Sequence, residues 1–155
     1  MEKITSFTID HIKLQPGLYV SRVDSVGEEF VTTFDLRLTS PNEEPVMNTA
    51  EIHTMEHLAA TFLRNDPQWK EQVLYFGPMG CQTGFYLLTR NVEPKAARKA
   101  VMAALRATLA WEGEVFGATR KECGNYQNLR LDDAKAECAA YLLTLEENED
   151  FNYAT

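Results

Sequence analysis

Two neighbouring β-rich segments separated by a glycine constrain the fold of this chain more than any other feature. Residues 18–26 are rich in strand-forming residues, Gly27 marks a turn, and residues 30–38 alternate between a mainly apolar and a more polar set. A period of two is typical of a β-strand, and two strands joined by a short turn predict an antiparallel hairpin. The alternation places Asp35 and Arg37 together on the more polar face. We therefore expect Arg37 to point away from the main core.

A helix is predicted directly after this hairpin and the loop that ends it. Asn48 is followed three residues later by Glu51, which is the form of a helix N-cap with its returning acid. Apolar residues recur at helical spacing up to Arg64, and the sequence Asn65-Asp66-Pro67 then stops the pattern. The prediction is a helix over about residues 49–64.

The second half of the chain predicts one more strand and two more helices. Residues Phe85 to Arg90 have the composition of a strand, Pro94 opens an amphipathic helix, and Asp132 is a plausible N-cap for a last helix that ends near Leu145. With the hairpin, this order predicts an α+β fold in which an antiparallel sheet is packed by helices. We interpret residues 1–155 as a single domain, because the sequence contains no repeat, low-complexity tract or linker.

Composition excludes several classes of partner. The chain has 15 Lys and Arg against 23 Asp and Glu, a net charge of −8, so it lacks the basic face that nucleic acid or an anionic membrane requires. No stretch approaches the roughly 18 apolar residues of a membrane span, and the N-terminus lacks the apolar centre of a signal peptide. We expect a cytoplasmic protein that acts on a small molecule or a protein.

The cysteines are expected to be free thiols. An odd number of cysteines, Cys81, Cys123 and Cys138, cannot all pair within one chain, and a reducing compartment keeps them available for metal binding or catalysis. Cys138 shares the apolar face of the last predicted helix, so we interpret it as a core residue.

The strongest chemical signal lies on the first predicted helix. His53, Glu56 and His57 have the spacing H-x-x-E-H, so their side chains project from one helix face. Two imidazoles at this spacing can bind one metal ion, and in such motifs the glutamate serves as an acid–base group instead of a ligand. The alternative is a pair of surface histidines salt-bridged to Glu56. A metal centre that catalyses also needs a third protein ligand and an open position.

The cysteines in glycine-rich loops are the candidates to complete such a site. Cys123 precedes Gly124 in a loop that can turn a thiolate inward, although a buried structural thiol fits the sequence equally well. Cys81 lies between Gly80 and the sequence Gln82-Thr83-Gly84, where a nearby cation would make it a thiolate base or nucleophile. Its alternative is a small core residue at a strand start.

Several motifs together resemble one enzyme family, the S-ribosylhomocysteine lyases. They cover most of the chain from Ser6 to Lys135, and the combination of Pro-Met-Gly-Cys-Gln-Thr-Gly with H-x-x-E-H is very specific. The segments that carry the resemblance are Ser6-Phe7-Thr8-Ile9-Asp10-His11, Phe34-Asp35-Leu36-Arg37, His53-Thr54-Met55-Glu56-His57-Leu58, Gly77-Pro78-Met79-Gly80-Cys81-Gln82-Thr83-Gly84-Phe85-Tyr86 and Glu122-Cys123-Gly124-Asn125-Tyr126.

The resemblance implies a homodimer with two active sites at the subunit interface, each completed by Ser6, Asp10 and His11 of the partner chain. It implies Fe(II) as the native metal, with zinc often in its place. The implied roles are metal ligation by His53, His57 and Cys123, acid–base catalysis by Cys81 and Glu56, and substrate binding by Ser6, His11 and Arg37.

The implied reaction cleaves S-ribosylhomocysteine to homocysteine and 4,5-dihydroxy-2,3-pentanedione, the precursor of the quorum-sensing signal autoinducer-2. Breaking the C5–sulfur bond by β-elimination requires a carbonyl at C3, so the sugar carbonyl must first move there from C1.

Two rival functions remain open from the residues alone. A metallopeptidase would use Glu56 to activate water and could take Glu137 as third ligand, whereas a structural binding module would close the site with a fourth ligand such as Cys81.

Overall fold

The predicted hairpin forms one side of a four-stranded antiparallel sheet in the computed structural model, which describes residues 1–154. Strands β1 (Gly17–Val26) and β2 (Glu29–Arg37) pair as expected, and Gly27 between them takes a φ of +62°, a conformation that glycine adopts without strain. Strands β3 (Val73–Pro78) and β4 (Gly84–Arg90) complete the order β1-β2-β4-β3.

Three helices provide the second layer. They are α1 (Thr49–Arg64), α2 (Pro94–Ala110) and α3 (Leu131–Glu147). Their apolar faces share one hydrophobic cluster with one face of the sheet, and this cluster excludes water from the space between the layers. Sheet and helices contribute to it through residues that include Leu18, Phe34, Leu36, Phe85, Leu87, Met55, Val101, Leu105, Cys138 and Tyr141. The predicted α+β class is confirmed.

Most predicted elements have the expected bounds, and two details differ. The last helix begins at Leu131, one residue before the predicted cap, so Asp132 lies in its first turn, where a carboxylate is favoured by the helix dipole. The N-cap is Arg130, whose side chain makes no capping bond. The other difference is β3, which the sequence analysis did not predict. It is an edge strand whose Leu74 and Tyr75 are exposed, and it ends at Pro78, a residue that sheets accept at an edge.

The face of the sheet opposite the helices carries a buried ion pair. Asp35 and Arg37 lie on it, as the alternation predicts, but they are only 0% and 2% exposed. The Arg37 guanidinium donates two hydrogen bonds to the Asp35 carboxylate, at 3.1 Å from Nε and 2.7 Å from Nη2. Tyr19 and Tyr86 stand directly beside Asp35 on the neighbouring strands. Arg37 therefore points away from the hydrophobic cluster and is nevertheless withdrawn from water.

Among the residues that the structure describes, no helix combines the length and the hydrophobicity needed to cross a bilayer.

Candidate metal centre and catalytic cleft

The first helix places the two histidines side by side. The capping box is formed as predicted: the Asn48 side chain accepts from the Glu51 backbone, and the Glu51 carboxylate accepts from the Asn48 backbone. The helix therefore starts at a fixed residue, and His53 and His57 follow one turn apart with ring centroids 4.6 Å from each other. Both rings are half-buried, so each can present a nitrogen to a ligand at the protein surface.

The loop between α2 and α3 brings Cys123 to the histidines. Its Sγ lies 3.3 Å from Nε2 of His53, and the nearest ligand atoms of His53, His57 and Cys123 all lie within 4.8 Å of one another. Two features fix this loop. The backbone carbonyl of Thr119 accepts a hydrogen bond from the backbone N–H of Cys123 at 3.0 Å. The buried hydroxyl of Thr54 on α1 accepts one from the backbone N–H of Arg130 at 2.7 Å. Cys123 is thus held against the same helix that carries the histidines.

The surroundings of both imidazoles suit metal ligation. Nδ1 of His57 lies 2.7 Å from the carbonyl oxygen of Phe116, so it carries the proton and leaves Nε2 with a free lone pair. The side-chain amide nitrogen of Asn128 lies 3.5 Å from Nδ1 of His53, a contact that restricts the orientation of that ring. Burial, followed by the charge of His57, lowers the pKa of His53 and favours the neutral form that binds metals. Two imidazoles and one thiol fit Zn²⁺ or Fe²⁺ with one position left open.

A cleft of about 470 Å³ opens beside this centre. His53 and Glu56 line one wall, and residues of the β3–β4 loop, including Met79, Gly80 and Gln82, line the other. Glu56 is half-buried and is not part of the metal cluster. A carboxylate in this position can accept or donate a proton to a molecule held in the cleft.

The β3–β4 loop carries Cys81, an exposed residue whose sulfur is partly covered by Thr83 and Arg37. Gln82 closes the turn with a φ of +63°, an uncommon conformation for a residue other than glycine, and donates its backbone N–H to the Met79 carbonyl at 3.1 Å. The adjacent residues Gly80 and Gln82 belong to the cleft wall. Cys81 therefore stands between two residues that line the cleft, and its own sulfur contacts Thr83 and Arg37.

The thiol is also electrostatically activated. Partial burial opposes its ionisation, but hydrogen bonds from the Thr83 side chain and backbone and the charge of Arg37 outweigh this effect, and the pKa of Cys81 is lowered. Its Sγ lies 3.0 Å from Oγ1 of Thr83, and Nη1 of Arg37 lies 3.8 Å from the same sulfur. Nη1 donates to Oγ1 of Thr83 at 2.7 Å. Cys81 thus has the environment of a reactive thiol.

Ser6 and His11 do not line this cleft. Ser6 lies in a short 3₁₀ helix, Thr5–Phe7, and Nδ1 of His11 bonds with the carbonyl of Ile9 at 2.9 Å. The N-terminal segment instead exposes large apolar side chains: Ile4 is 60% exposed, Phe7 69% and Ile12 85%.

The geometry also bears on the rival functions. Within residues 1–154, the His53, His57 and Cys123 group is the one cluster that could hold a metal, and neither Glu137 nor Cys81 belongs to it. The carboxylate ligand of the peptidase hypothesis and the fourth ligand of the structural hypothesis are both missing from it. Cys138 is fully buried, as expected, and burial followed by the nearby Glu137 raises its pKa to about 12.

Four residues support the site through contacts that the sequence did not predict. They are Thr54, Thr83, Gly117 and Asn128. Gly117 is the clearest, because it combines a φ of +70° with contact to His57, and an added Cβ would lie 3.3 Å from Nδ1 of that ring. Its sequence signal was a glycine that interrupts an apolar pattern, which indicates a turn without indicating what packs on it.

Comparison with known proteins decides the family. The family model for S-ribosylhomocysteinase (LuxS) matches residues 4–152. The chain belongs to this family. Proteins named S-ribosylhomocysteine lyase are similar to it over most of their length. The one from Clostridium acetobutylicum is 54% identical over 132 residues, 84% of each chain. The one from Finegoldia magna is 51% identical over 143 residues, 92% of this chain and 90% of its own. The one from Borrelia garinii subsp. bavariensis is 47% identical over 153 residues, 98% of each.

Membership in the S-ribosylhomocysteinase family confirms the resemblance seen in the motifs. The matched residues include both walls of the cleft, the metal cluster and the N-terminal segment with Ser6 and His11. The match therefore extends well beyond the helix that carries the histidines.

Proposed function

We propose that this protein is a metal-dependent lyase that cleaves S-ribosylhomocysteine to homocysteine and 4,5-dihydroxy-2,3-pentanedione. Relatives of nearly the same length bear the name of this activity. The observation that supports the proposal is a three-residue cluster able to hold a metal, beside a cleft that Glu56 lines, with the Cys81 thiol in a loop whose residues Gly80 and Gln82 line the same cleft. A peptidase would not need the thiol, and a structural site would not need the cleft.

His53, His57 and Cys123 would hold the metal, for which we propose Fe(II) with zinc as a substitute. A divalent ion bound there supplies Lewis acidity that stabilises negative charge on the oxygens of the sugar. The Phe116 carbonyl keeps the His57 proton on Nδ1, so that the ligating nitrogen faces the site. The backbone N–H of Asn125 donates a hydrogen bond to the Cys123 sulfur at 3.4 Å and so helps to fix the position of that sulfur beside the histidines.

We assign the carbonyl migration to Cys81. Moving the carbonyl from C1 to C2, and then to C3, requires a proton to leave one carbon and arrive at its neighbour in each step. The Cys81 thiolate can take this proton and return it, because Arg37 and Thr83 stabilise its charged form without consuming the proton. We also propose that Arg37 helps to hold the substrate by its positive charge. It would do so from a buried position, because its guanidinium is paired with Asp35.

We assign the elimination to Glu56. With the carbonyl at C3, removal of the proton on C4 forms a C4–C5 double bond and expels the homocysteine sulfur from C5, which then takes up a proton. Glu56 lines the cleft with His53, where one carboxyl group can serve first as base and then as acid. The resulting enol tautomerises to the dione.

We further propose a homodimer in which the N-terminal segment of each chain completes the cleft of its partner. Ser6 and His11 do not line the cleft of their own chain, and Ile4, Phe7 and Ile12 next to them are exposed apolar side chains of the kind buried at subunit interfaces. A reducing cytoplasm suits a site that depends on the free thiols Cys81 and Cys123.

The test is thiol release. Purified, iron-loaded protein is incubated anaerobically with S-ribosylhomocysteine, and free thiol is followed with a chromogenic disulfide. We expect thiol release from the wild type and a dione trapped by a diamine, whereas the peptidase and structural hypotheses predict neither product.

Two cysteine variants separate the assigned roles. Cys123→Ala removes a ligand and should lose bound metal, while Cys81→Ala should retain metal and lose turnover. Metal content is measured by elemental analysis after gel filtration. Absence of thiol release by the metal-loaded wild type would refute the lyase proposal, and equal metal loss in both variants would refute the division of roles.

A further inference from the structure

The end of the chain folds back over the sheet face that carries the ion pair. Residues 148–154, here called the tail, follow α3 and run along the edge strand β1, where the Phe151 carbonyl accepts the backbone N–H of Val20 at 2.8 Å. The Phe151 side chain packs against the hydrophobic cluster. Two residues later, the Tyr153 ring stacks on the Tyr19 ring with centroids 5.0 Å apart. The tail is therefore docked at specific points.

The tail reaches the ion pair through one hydroxyl. Tyr153 donates from Oη to Oδ2 of Asp35 at 2.8 Å, the same oxygen that accepts Nη2 of Arg37 at 2.7 Å. Burial and the charge of Asp35 raise the pKa of Tyr153, so the phenol remains a protonated donor. Asp35 thus holds one cation and one neutral donor on the same atom.

The other end of Arg37 faces the reactive thiol. With Nε and Nη2 occupied by Asp35, the remaining nitrogen, Nη1, is directed to Oγ1 of Thr83 and to Sγ of Cys81. A guanidinium is planar and rigid, so fixing one edge of it fixes the direction of the other. A continuous set of contacts therefore connects Tyr153 to Cys81.

We propose that Tyr153 is a positioning residue for the Cys81 thiol, acting through Asp35 and Arg37. This inference rests on the proposed function for its catalytic meaning, since Cys81 is the proton-transfer group assigned above. Tyr153 does not touch the cleft. Its hydroxyl fixes the Asp35 carboxylate, which in turn fixes the Arg37 guanidinium beside the Cys81 sulfur. The Tyr153 side chain also keeps water away from the ion pair, and the lower local dielectric strengthens the stabilisation of the Cys81 thiolate by Arg37.

The other groups around this network do not duplicate the hydroxyl. The titratable groups that interact with Asp35 or Arg37 from the strands, from α3 and from the tail are Tyr19, Tyr86, Tyr141, Cys81, Tyr153 and, near Tyr19, Asp150. The Tyr19 hydroxyl donates to the Gln15 carbonyl and that of Tyr141 to the Gly17 carbonyl. Neither is directed at the carboxylate.

The test is the pH profile of Cys81 alkylation in full-length, metal-loaded Tyr153→Phe. This change removes the hydroxyl and keeps the ring that stacks on Tyr19. Iodoacetamide labelling of the Cys81 peptide is followed by mass spectrometry from pH 6 to 10. We expect the profile to move to higher pH, with labelling at pH 7 slower by about threefold because a smaller fraction is thiolate. The kcat for thiol release should fall in parallel, with KM little changed.

Tyr141→Phe is the matched control, because it removes another buried tyrosine hydroxyl whose 2.8 Å bond goes to a backbone carbonyl. It should lower the free energy of unfolding and leave the Cys81 profile unchanged. An unshifted or lowered profile in Tyr153→Phe, or equal shifts in both variants, would overturn the proposal. If the profile moves as expected in a protein that releases no thiol, the positioning role stands and the proposed lyase function fails.

Discussion

Replacing Thr83 by valine tests the hydrogen-bond network around Cys81 most directly. Thr83 is 4% exposed, and its hydroxyl oxygen accepts Nη1 of Arg37 at 2.7 Å and contacts Sγ of Cys81 at 3.0 Å. Valine keeps the shape of the side chain and removes the oxygen. The Nη1 nitrogen of the buried guanidinium then loses its close acceptor, and within residues 1–154 the Cys81 sulfur, at 3.8 Å, is its one remaining hydrogen-bond partner.

The expected loss follows from the charge of the donor. A hydrogen bond to a charged group contributes about 1.5–3 kcal/mol, and a buried donor left without its partner also keeps its desolvation cost. We therefore expect Thr83→Val to lower the free energy of unfolding by about 2 kcal/mol. The change should also slow Cys81 alkylation at neutral pH, since the side-chain hydrogen bond of Thr83 is the largest of the contacts that lower the thiol pKa.

Thr89 offers a matched control in the same sheet. It is 2% exposed, and within the described residues its hydroxyl has no hydrogen-bond partner. Thr89→Val removes a buried polar atom that bonds to nothing, so it should be neutral or stabilising. Urea denaturation of the metal-loaded proteins, followed by fluorescence, gives both free energies. Equal effects of the two substitutions would refute the argument, because they would mean that the network around Arg37 contributes nothing beyond burial.

Three further predictions concern the helix, the loop and the thiol. Gly117→Ala should weaken metal retention in a chelator competition, because alanine disfavours the φ of +70° and its Cβ would lie 3.3 Å from the His57 ring; unchanged retention would contradict this. Asn48→Ala should cost about 1 kcal/mol in thermal or urea unfolding through loss of its bond to the Glu51 backbone. Folding lowers the Cys81 pKa, so the thiolate stabilises the fold above the pKa of the unfolded chain, and this contribution is lost as pH falls through the folded value. Wild type should thus gain stability relative to Cys81→Ala as pH rises through this window, and parallel curves would contradict it.

Local rules predicted the helix that places the two histidines of the candidate metal site together. The capping box at Asn48 and the stop at Asn65-Asp66-Pro67 give α1 the bounds predicted, and the H-x-x-E-H spacing then places His53 and His57 together. Periodicity likewise placed Asp35 and Arg37 on the second face of the sheet. Each of these outcomes depends on residues within a few positions of one another, which is why one sequence suffices to predict them.

Contacts between distant segments were beyond such rules. Nothing local to Arg37 indicates that Tyr153, 116 positions later, contributes to its burial, or that Thr54 would bind the backbone of Arg130. Strand β3 was missed because half of its residues are exposed or only partly buried at a sheet edge and it runs into Gly77 and Pro78. The residues alone made Cys123 one candidate for the third ligand, and the resemblance to a family was needed to pair it with the histidines. Loop residues have no periodicity that predicts their partners.

The site is divided between the two layers of the fold. The proposed metal ligands belong to the helical layer and the Cys81 thiol to a loop of the sheet, and the hydrophobic cluster lies between these layers. Ile52 of α1 and Met79 of the β3–β4 loop are both buried and both line the cleft, so the size of these two side chains bears on the distance between the proposed metal and the thiol. Substitutions at those two positions could therefore change the balance between the proposed isomerisation and elimination without replacing any residue assigned to either step.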